Sequence, residues 1–203
     1  EHFDPVRFLS NPSTGTMGFA LAAEAARRGA DVTLVAGPVA LATPPDVRRV
    51  DVTSADEMHA AVLREAEAAD LVLMTAAVAD YAPAERHAHK VKKEEGPETL
   101  LLRRTPDILA DLGARRRDGQ TLVGFAMETD DGEGHAQAKL QRKQLDYIVL
   151  NLLNEPGAGF GAATNRVTIF GADGARHDLP LASKAEVAAR ILDVVSEARG
   201  IGS

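Results

Sequence analysis

Cysteine is missing from all 203 residues, and its absence excludes disulfides, thiolate metal sites and a cysteine nucleophile. No apolar run approaches the length of a bilayer span and no secretory signal is seen, so no membrane is expected as a partner. A positive excess is lacking too. The 23 Lys+Arg against 30 Asp+Glu leave a formal net charge of -7, which argues against nucleic acid, whose phosphates need a basic surface. Histidine occurs six times without metal-ligand spacing, and the nearest approach, Arg86-His87-Ala88-His89, reads as a solvated loop. Repeats, linkers and low-complexity segments are absent. What remains is a chain expected to be cytoplasmic and to form one domain, 1–203, long enough to bury a sizeable core.

The pattern that is present alternates helix and strand. Met17 to Arg28 forms an alanine-rich helical face that Gly29 can stop, and "VTLVA" (Val32 to Ala36) reads as a buried parallel strand. Val47 to Val52 is a second strand. Ser54-Ala55-Asp56-Glu57 reads as a capping box for a helix to about Ala69, followed by the strand Leu71 to Ala77. Residues 78–97 carry two prolines and no periodicity, and predict a long loop of the lid type. Leu100 to Arg103 is a short strand, and Thr105-Pro106-Asp107 caps a helix with proline in its first turn. Thr121 to Met127, Glu133 to Gln144 and Tyr147 to Asn151 continue as strand, helix and strand. A glycine-rich turn (157–161) precedes a C-terminal β-hairpin, residues 166–170 with 175–179 around Asp173-Gly174. Ser183-Lys184-Ala185-Glu186 opens a last helix to about Ala198. This order predicts an α/β, Rossmann-like, doubly wound and mostly parallel sheet whose ligand sits beyond the strand tips "TAAVADY", "GFAMET" and "LNLLNEP". Such a domain starts on a central strand, and "EHFDPVRFLS" is a poor one, so a first strand is expected upstream of this chain.

Several stretches carry chemistry. Ser10, Asn11, Ser13, Thr14, Gly15 and Gly18 surround a helix mouth, where exposed amides and the dipole favour a phosphate or carboxylate; an ordinary N-cap looks the same. Asn11 can donate to an anionic or carbonyl oxygen without changing protonation state. Lys90-Val91-Lys92-Lys93 is the densest lysine cluster and suits a polyphosphate counter-charge on a mobile lid, although a solvated charge run has the same composition. Asp80, just past a strand end, suits Mg²⁺ bridging phosphates or, equally, a turn. Lys139 and Lys143 share a helix face, and Phe125 either stacks a nucleobase or belongs to the core.

In order along nearly the whole chain, "DPVRFLSNPSTGTMGFALAAEAARRGADVTLVAGP", "TAAVADY", "KVKK", "RRTPDIL", "VGFAMET" and "GFGAATNRVTIF" resemble the phosphopantothenate–cysteine ligases. The resemblance implies activation of the 4′-phosphopantothenate carboxylate by CTP with Mg²⁺, followed by attack of L-cysteine on the acyl-cytidylate. It implies that Asn11 steadies that intermediate and that Lys90 serves the activation step. By the same likeness, Asp80 contacts nucleotide and metal, and Thr75 and Ala76 read the base. Ser13, Gly15, Arg103, Arg104, Thr105, Pro106, Phe125, Lys139 and Lys143 complete the nucleotide site. It further implies a homodimer and an upstream decarboxylase, fused or associated. Two departures stand out: the family's strand and Gly-Gly-Thr turn before "DPVR" are not in the chain, and position 16, often lysine, is Thr16.

A short-chain NAD(P)-dependent oxidoreductase shares the glycine turn and the alternation. Its acidic ribose ligand is replaced by Gly37-Pro38, however, and neither Tyr81 nor Tyr147 has a lysine four residues on. A non-catalytic nucleotide-binding subunit is the third reading.

Overall fold

The computed structural model describes residues 1–92, 99–128, 131–152 and 162–200. The described elements run α1 (Thr16–Arg27), β1 (Val32–Ala36), β2 (Val47–Asp51), α2 (Ala55–Ala66), β3 (Leu71–Met74), β4 (Tyr81–Pro83) and β5 (Leu102–Arg104). They continue as α3 (Ile108–Arg115), β6 (Thr121–Glu128), α4 (Gly132–Arg142), β7 (Tyr147–Leu152), β8 (Thr164–Gly171), β9 (Arg176–Ser183) and α5 (Lys184–Ala198).

The main sheet has the order β3-β6-β7-β8-β9. Its first three strands are parallel, and the β8–β9 hairpin adds on antiparallel, so the sheet is mixed. Strand side chains alternate between faces, so the apolar runs of the central strands feed two cores. Leu122, Ile148 and Leu150 meet α2, α3 and α4 through Met58, Leu109, Leu112 and Leu140. Val123 and Val149 meet α1 and α5 through Leu21, Val187, Ile191 and Val195. This two-faced burial is why the strands lack polar alternation, and it makes the fold α/β and doubly wound.

Two smaller sheets depart from the expected picture. β1 and β2 form a separate parallel pair, with no described hydrogen bond between β1 and β3. The stretch expected to be a lid loop contains β4, which pairs antiparallel with β5 through Tyr81↔Arg104 and Pro83↔Leu102. A three-residue strand shows no period, so it was invisible in sequence. Residues 93–97 of that segment, Lys93 among them, lie outside the described residues, as does the glycine-rich turn at 157–161.

The ends of elements follow local chemistry. Gly29 stops α1 at a φ of 83°, with its amide on the Ala26 carbonyl. Ser54 caps α2 by accepting from the Glu57 amide, while the Glu57 carboxylate turns to Thr53 at 2.7 Å. Asp107 is the cap of α3 and accepts from the Ala110 amide at 3.1 Å. Pro106 therefore precedes the helix and does not occupy its first turn. The expected reciprocal capping box is present at Ser183 and Glu186, opening α5.

Candidate functional site

The mouth of α1 is built to bring backbone close to the strand tips. Gly15 caps the helix at a φ of 75°, a left-handed geometry that residues with a Cβ avoid. No side chain satisfies that cap, and no acidic residue occupies the first turn, so amides and dipole stay available. Gly18 allows α1 to sit against the end of β3, because a Cβ there would lie 2.7 Å from Thr75 Oγ1. Asn11 ties the same turn to the strand tip, its Nδ2 donating to the carbonyls of Ala77 at 3.1 Å and Val78 at 3.3 Å. The carboxamide thus braces one wall against another.

These walls enclose a cavity of about 980 Å³ that runs between β1 and β3 and beyond the carboxyl ends of the parallel strands. Asn11, Ser13 and Gly15 line it from the α1 turn, and Thr75, Ala76 and Asp80 from the segment after β3. Arg104, Thr105 and Pro106 line it from the chain after β5, and Phe125, Lys139 and Lys143 from β6 and α4. Thr105 is fixed there by its Oγ1 donating to the Ala79 carbonyl at 2.6 Å and its amide donating to the Asp80 carbonyl at 3.1 Å. Two expected residues are not brought in. Arg103 points the other way along β5 and pairs with Asp56 at 2.5 Å, because adjacent strand residues face opposite sides. Lys90 is exposed and does not line the cavity.

One end of the cavity is a cation pair held by local acceptors. Lys139 Nζ donates to the Phe125 carbonyl at 2.8 Å. Burial, reinforced by neighbouring Lys143, pushes its pKa below the ordinary lysine value. Lys143 Nζ pairs with Asp107 Oδ1 at 2.8 Å. Burial by itself would raise the Asp107 pKa, but the Lys143 ammonium and the Ala110 amide override it and hold the carboxyl below its usual range. Phe125 is half-buried, with part of its ring against the β6–α5 core.

Sequence reasoning missed the clamp behind Lys90. Asp4 is 0% exposed. Its Oδ1 accepts from the Val6 and Arg7 amides, both at 2.8 Å. Its Oδ2 accepts from Arg7 Nε at 2.9 Å and Nη2 at 2.7 Å, and from the Val91 amide at 3.2 Å. Arg7 Nη2 also donates to the Val91 carbonyl at 2.9 Å. Burial would push the Asp4 pKa up, but these donors hold it far below the carboxylate range. Both backbone groups of Val91, next to Lys90, are therefore gripped by one ion pair. The only signal for this was "DPVR" itself, whose Asp-to-Arg spacing of three suits a turn.

The chain matches the family described as DNA/pantothenate metabolism flavoprotein C-terminal domain over residues 1–198. It is 49% identical over 197 residues to the Coenzyme A biosynthesis bifunctional protein CoaBC of Bacillus subtilis (strain 168), covering 97% of this chain and 48% of that protein. The chain spans about half the length of the curated relatives it matches. A crystal structure of the C-terminal domain of a CoaBC protein superposes with a TM-score of 0.82 at 41% identity, covering 98% of this chain and 89% of that chain. A Cab2 variant in complex with phosphopantothenate-cysteine shares the fold, with a TM-score of 0.78 at 17% identity over 98% of this chain and 82% of that one.

Proposed function

Because the chain belongs to the DNA/pantothenate metabolism flavoprotein C-terminal domain family, we propose that it is a ligase of coenzyme A biosynthesis, joining 4′-phosphopantothenate to L-cysteine at the expense of CTP. The observation that carries this reading is the single cavity in which the α1 mouth, the tip of β3, the Thr105 segment and the Lys139–Lys143 pair all meet. A carboxylate is a poor electrophile. Its oxygen attacks the α-phosphorus of CTP, and the bond to the β-phosphate breaks with release of pyrophosphate. The cysteine amine then attacks the acyl carbon of the resulting mixed anhydride, loses a proton, and expels CMP.

No nucleophilic side chain is needed for this sequence, which accords with a chain that has no cysteine. The protein must neutralise charge and align reactants, which fixed amides and ammonium groups do in a partly enclosed site. Lys139 and Lys143 lie where a triphosphate can meet them, Thr75 and Ala76 offer backbone groups to a base, and Phe125 offers a ring face. Lys90 is carried on a segment anchored at Val91 and supplies a further positive charge from outside the wall. Asn11 keeps the α1 turn registered on the β3 tip, where the acyl group would lie.

Mg²⁺ belongs to the same proposal. Among the described residues no group of three acidic or histidine side chains could hold a metal unaided. Asp80 is a lone carboxylate on the cavity wall, which fits a cation that brings most of its ligands as phosphates and water. Such an ion supplies charge neutralisation at the phosphates. Pairing of two chains and an upstream decarboxylase, fused or associated, complete the reading, supported by relatives named as bifunctional proteins.

The test is turnover. The chain should form pyrophosphate from CTP only when phosphopantothenate is present, and CMP and amide together only when cysteine is added as well. Asn11→Asp should bind CTP yet stop amide formation, and Lys90→Gln should suppress pyrophosphate release while leaving the fold intact. Absence of CMP formation by the wild-type chain would overturn the reading, and unchanged product formation by either variant would remove that residue's role.

A further inference from the structure

The cavity has a second polar end, built from residues that the ligase reading does not use. Lys184 opens α5, is 8% exposed and lines the cavity. Among the described residues no hydrogen bond or ion pair holds its ammonium. The position is unfavourable on two counts. A cation at the first position of a 15-residue helix sits at the positive end of the dipole. Burial without a counter-charge adds a desolvation cost, and it pushes the Lys184 pKa down. Capping does not explain the lysine, since Ser183 and Glu186 satisfy the helix end by themselves.

Two carboxamides share this wall. Asn151, at the end of β7, is 5% exposed and Asn165 is 6% exposed, and both line the cavity. The Oδ1 atom of each is buried and has no hydrogen-bond partner among the described residues. Asn165 stands where the β8–β9 register shifts, an irregularity of the kind that re-aims side chains at sites. Among the described residues its Nδ2 reaches only Met17 Sδ, at 3.9 Å, in the first turn of α1. The α5 start is joined to the same corner by the Lys184 amide on the Ala163 carbonyl at 3.3 Å. The uncapped mouth of α1 therefore borders this end of the cavity as well. Buried polar groups without partners are rare in folded proteins, and two of them lining one cavity beside an unpaired ammonium mark a place where something else binds. An ammonium with adjacent helix amides calls for an oxyanion, and the two Oδ1 atoms call for N–H or O–H donors beside it.

We propose that Lys184, Asn151 and Asn165, with the open end of α1, form a subsite for the oxyanion of one of the two acids being joined. That group is the phosphate monoester of phosphopantothenate or the α-carboxylate of cysteine. Both acids carry N–H or O–H donors near that anion. The assignment rests on the ligase reading, and it separates this end from the Lys139–Lys143 end, whose ammonium groups already have acceptors.

Steady-state kinetics of the whole chain with Lys184→Met and Lys184→Arg decide it. Lys184→Met should raise KM for one acid at least tenfold while leaving KM for CTP within twofold, and Lys184→Arg should recover most of the loss. The acid affected identifies the anion. Because Lys184→Met removes an unpaired charge from a largely buried side chain, its ligand-free Tm should equal or exceed that of wild type, which a structural lysine would not allow. Unchanged KM for both acids, or a rise confined to CTP, would overturn the subsite. If the wild-type chain shows no ligase turnover, the ligase reading fails, and inorganic phosphate then decides the subsite. The subsite stands if phosphate raises the Tm of wild type and not of Lys184→Met, and falls if both respond alike or neither responds.

Discussion

Replacing Gly113 by alanine sets two effects against each other. Gly113 lies inside α3, where alanine is preferred over glycine by about 1 kcal/mol on helix propensity alone. A Cβ at that position, however, would lie 2.1 Å from the Lys143 carbonyl oxygen and 3.0 Å from its carbon. Both obstacles are backbone, so no rotamer change relieves them. To restore ordinary contact at 3.4 Å, α3 and the end of α4 must separate by roughly 1.3 Å. Leu109, Leu112 and Leu145 are part of the core beside them. Overpacking of this kind costs about 1–3 kcal/mol, enough to reverse the propensity gain. After the propensity gain of about 1 kcal/mol is subtracted, we expect Gly113→Ala to be destabilised by up to about 2 kcal/mol in equilibrium urea unfolding, with an unchanged m-value. Gly134 in α4 is the control. Its added Cβ would meet only Asp131 carboxylate oxygens at 3.1 and 3.2 Å, the free end of a side chain, so Gly134→Ala should gain up to about 1 kcal/mol. Lys143 also pairs its ammonium with Asp107 at the other end of α3, so Gly113→Ala should raise KM for CTP as well. A Gly113→Ala variant as stable as wild type would refute the claim that the contact outweighs propensity.

Other outcomes are expected. Asp4→Asn should speed amide hydrogen exchange at Lys90, Val91 and Lys92 and slow pyrophosphate release; unchanged exchange would show that the clamp does not hold this segment. Hydrogen bonds from Arg27 and Arg28 hold the Glu24 pKa down to about 2, well below the ordinary glutamate value. A lowered carboxyl pKa stabilises the fold above the unfolded value, and the benefit disappears as pH falls from about 4.5 through 2. Glu24→Gln should therefore lose less stability than wild type over that window, and parallel curves would contradict the assignment. Gly18→Val should push α1 away from Thr75 and weaken CTP binding in calorimetry; wild-type affinity would mean that the close approach is unimportant.

Much of the fold was legible because the signals were local. "VTLVA" became β1 with the expected ends, the Asp173-Gly174 turn joined β8 to β9, and the Ser183 capping box formed as written. Each depends on neighbours within a few residues. β5 was expected at 100–103 and stands at Leu102–Arg104, whereas β4 was missed, because a three-residue strand has no periodicity and exists only through its partner. Lys184 was legible as part of a capping motif, and nothing within its own helix shows that it lines the cavity.

The chain's order of residues determined by itself most of the segments that become helix or strand, the two-faced apolar character of the central strands, and the absence of any thiol chemistry. Tertiary structure alone decided that Arg103 faces away while Arg104 faces the cavity. It likewise decided that Asp4 grips Val91 across 87 residues and that Asn151, Asn165 and Lys184 share one wall. The reason is physical. Propensity and capping act over one or two turns, whereas burial, charge pairing and cavity walls depend on distances that only the folded chain establishes.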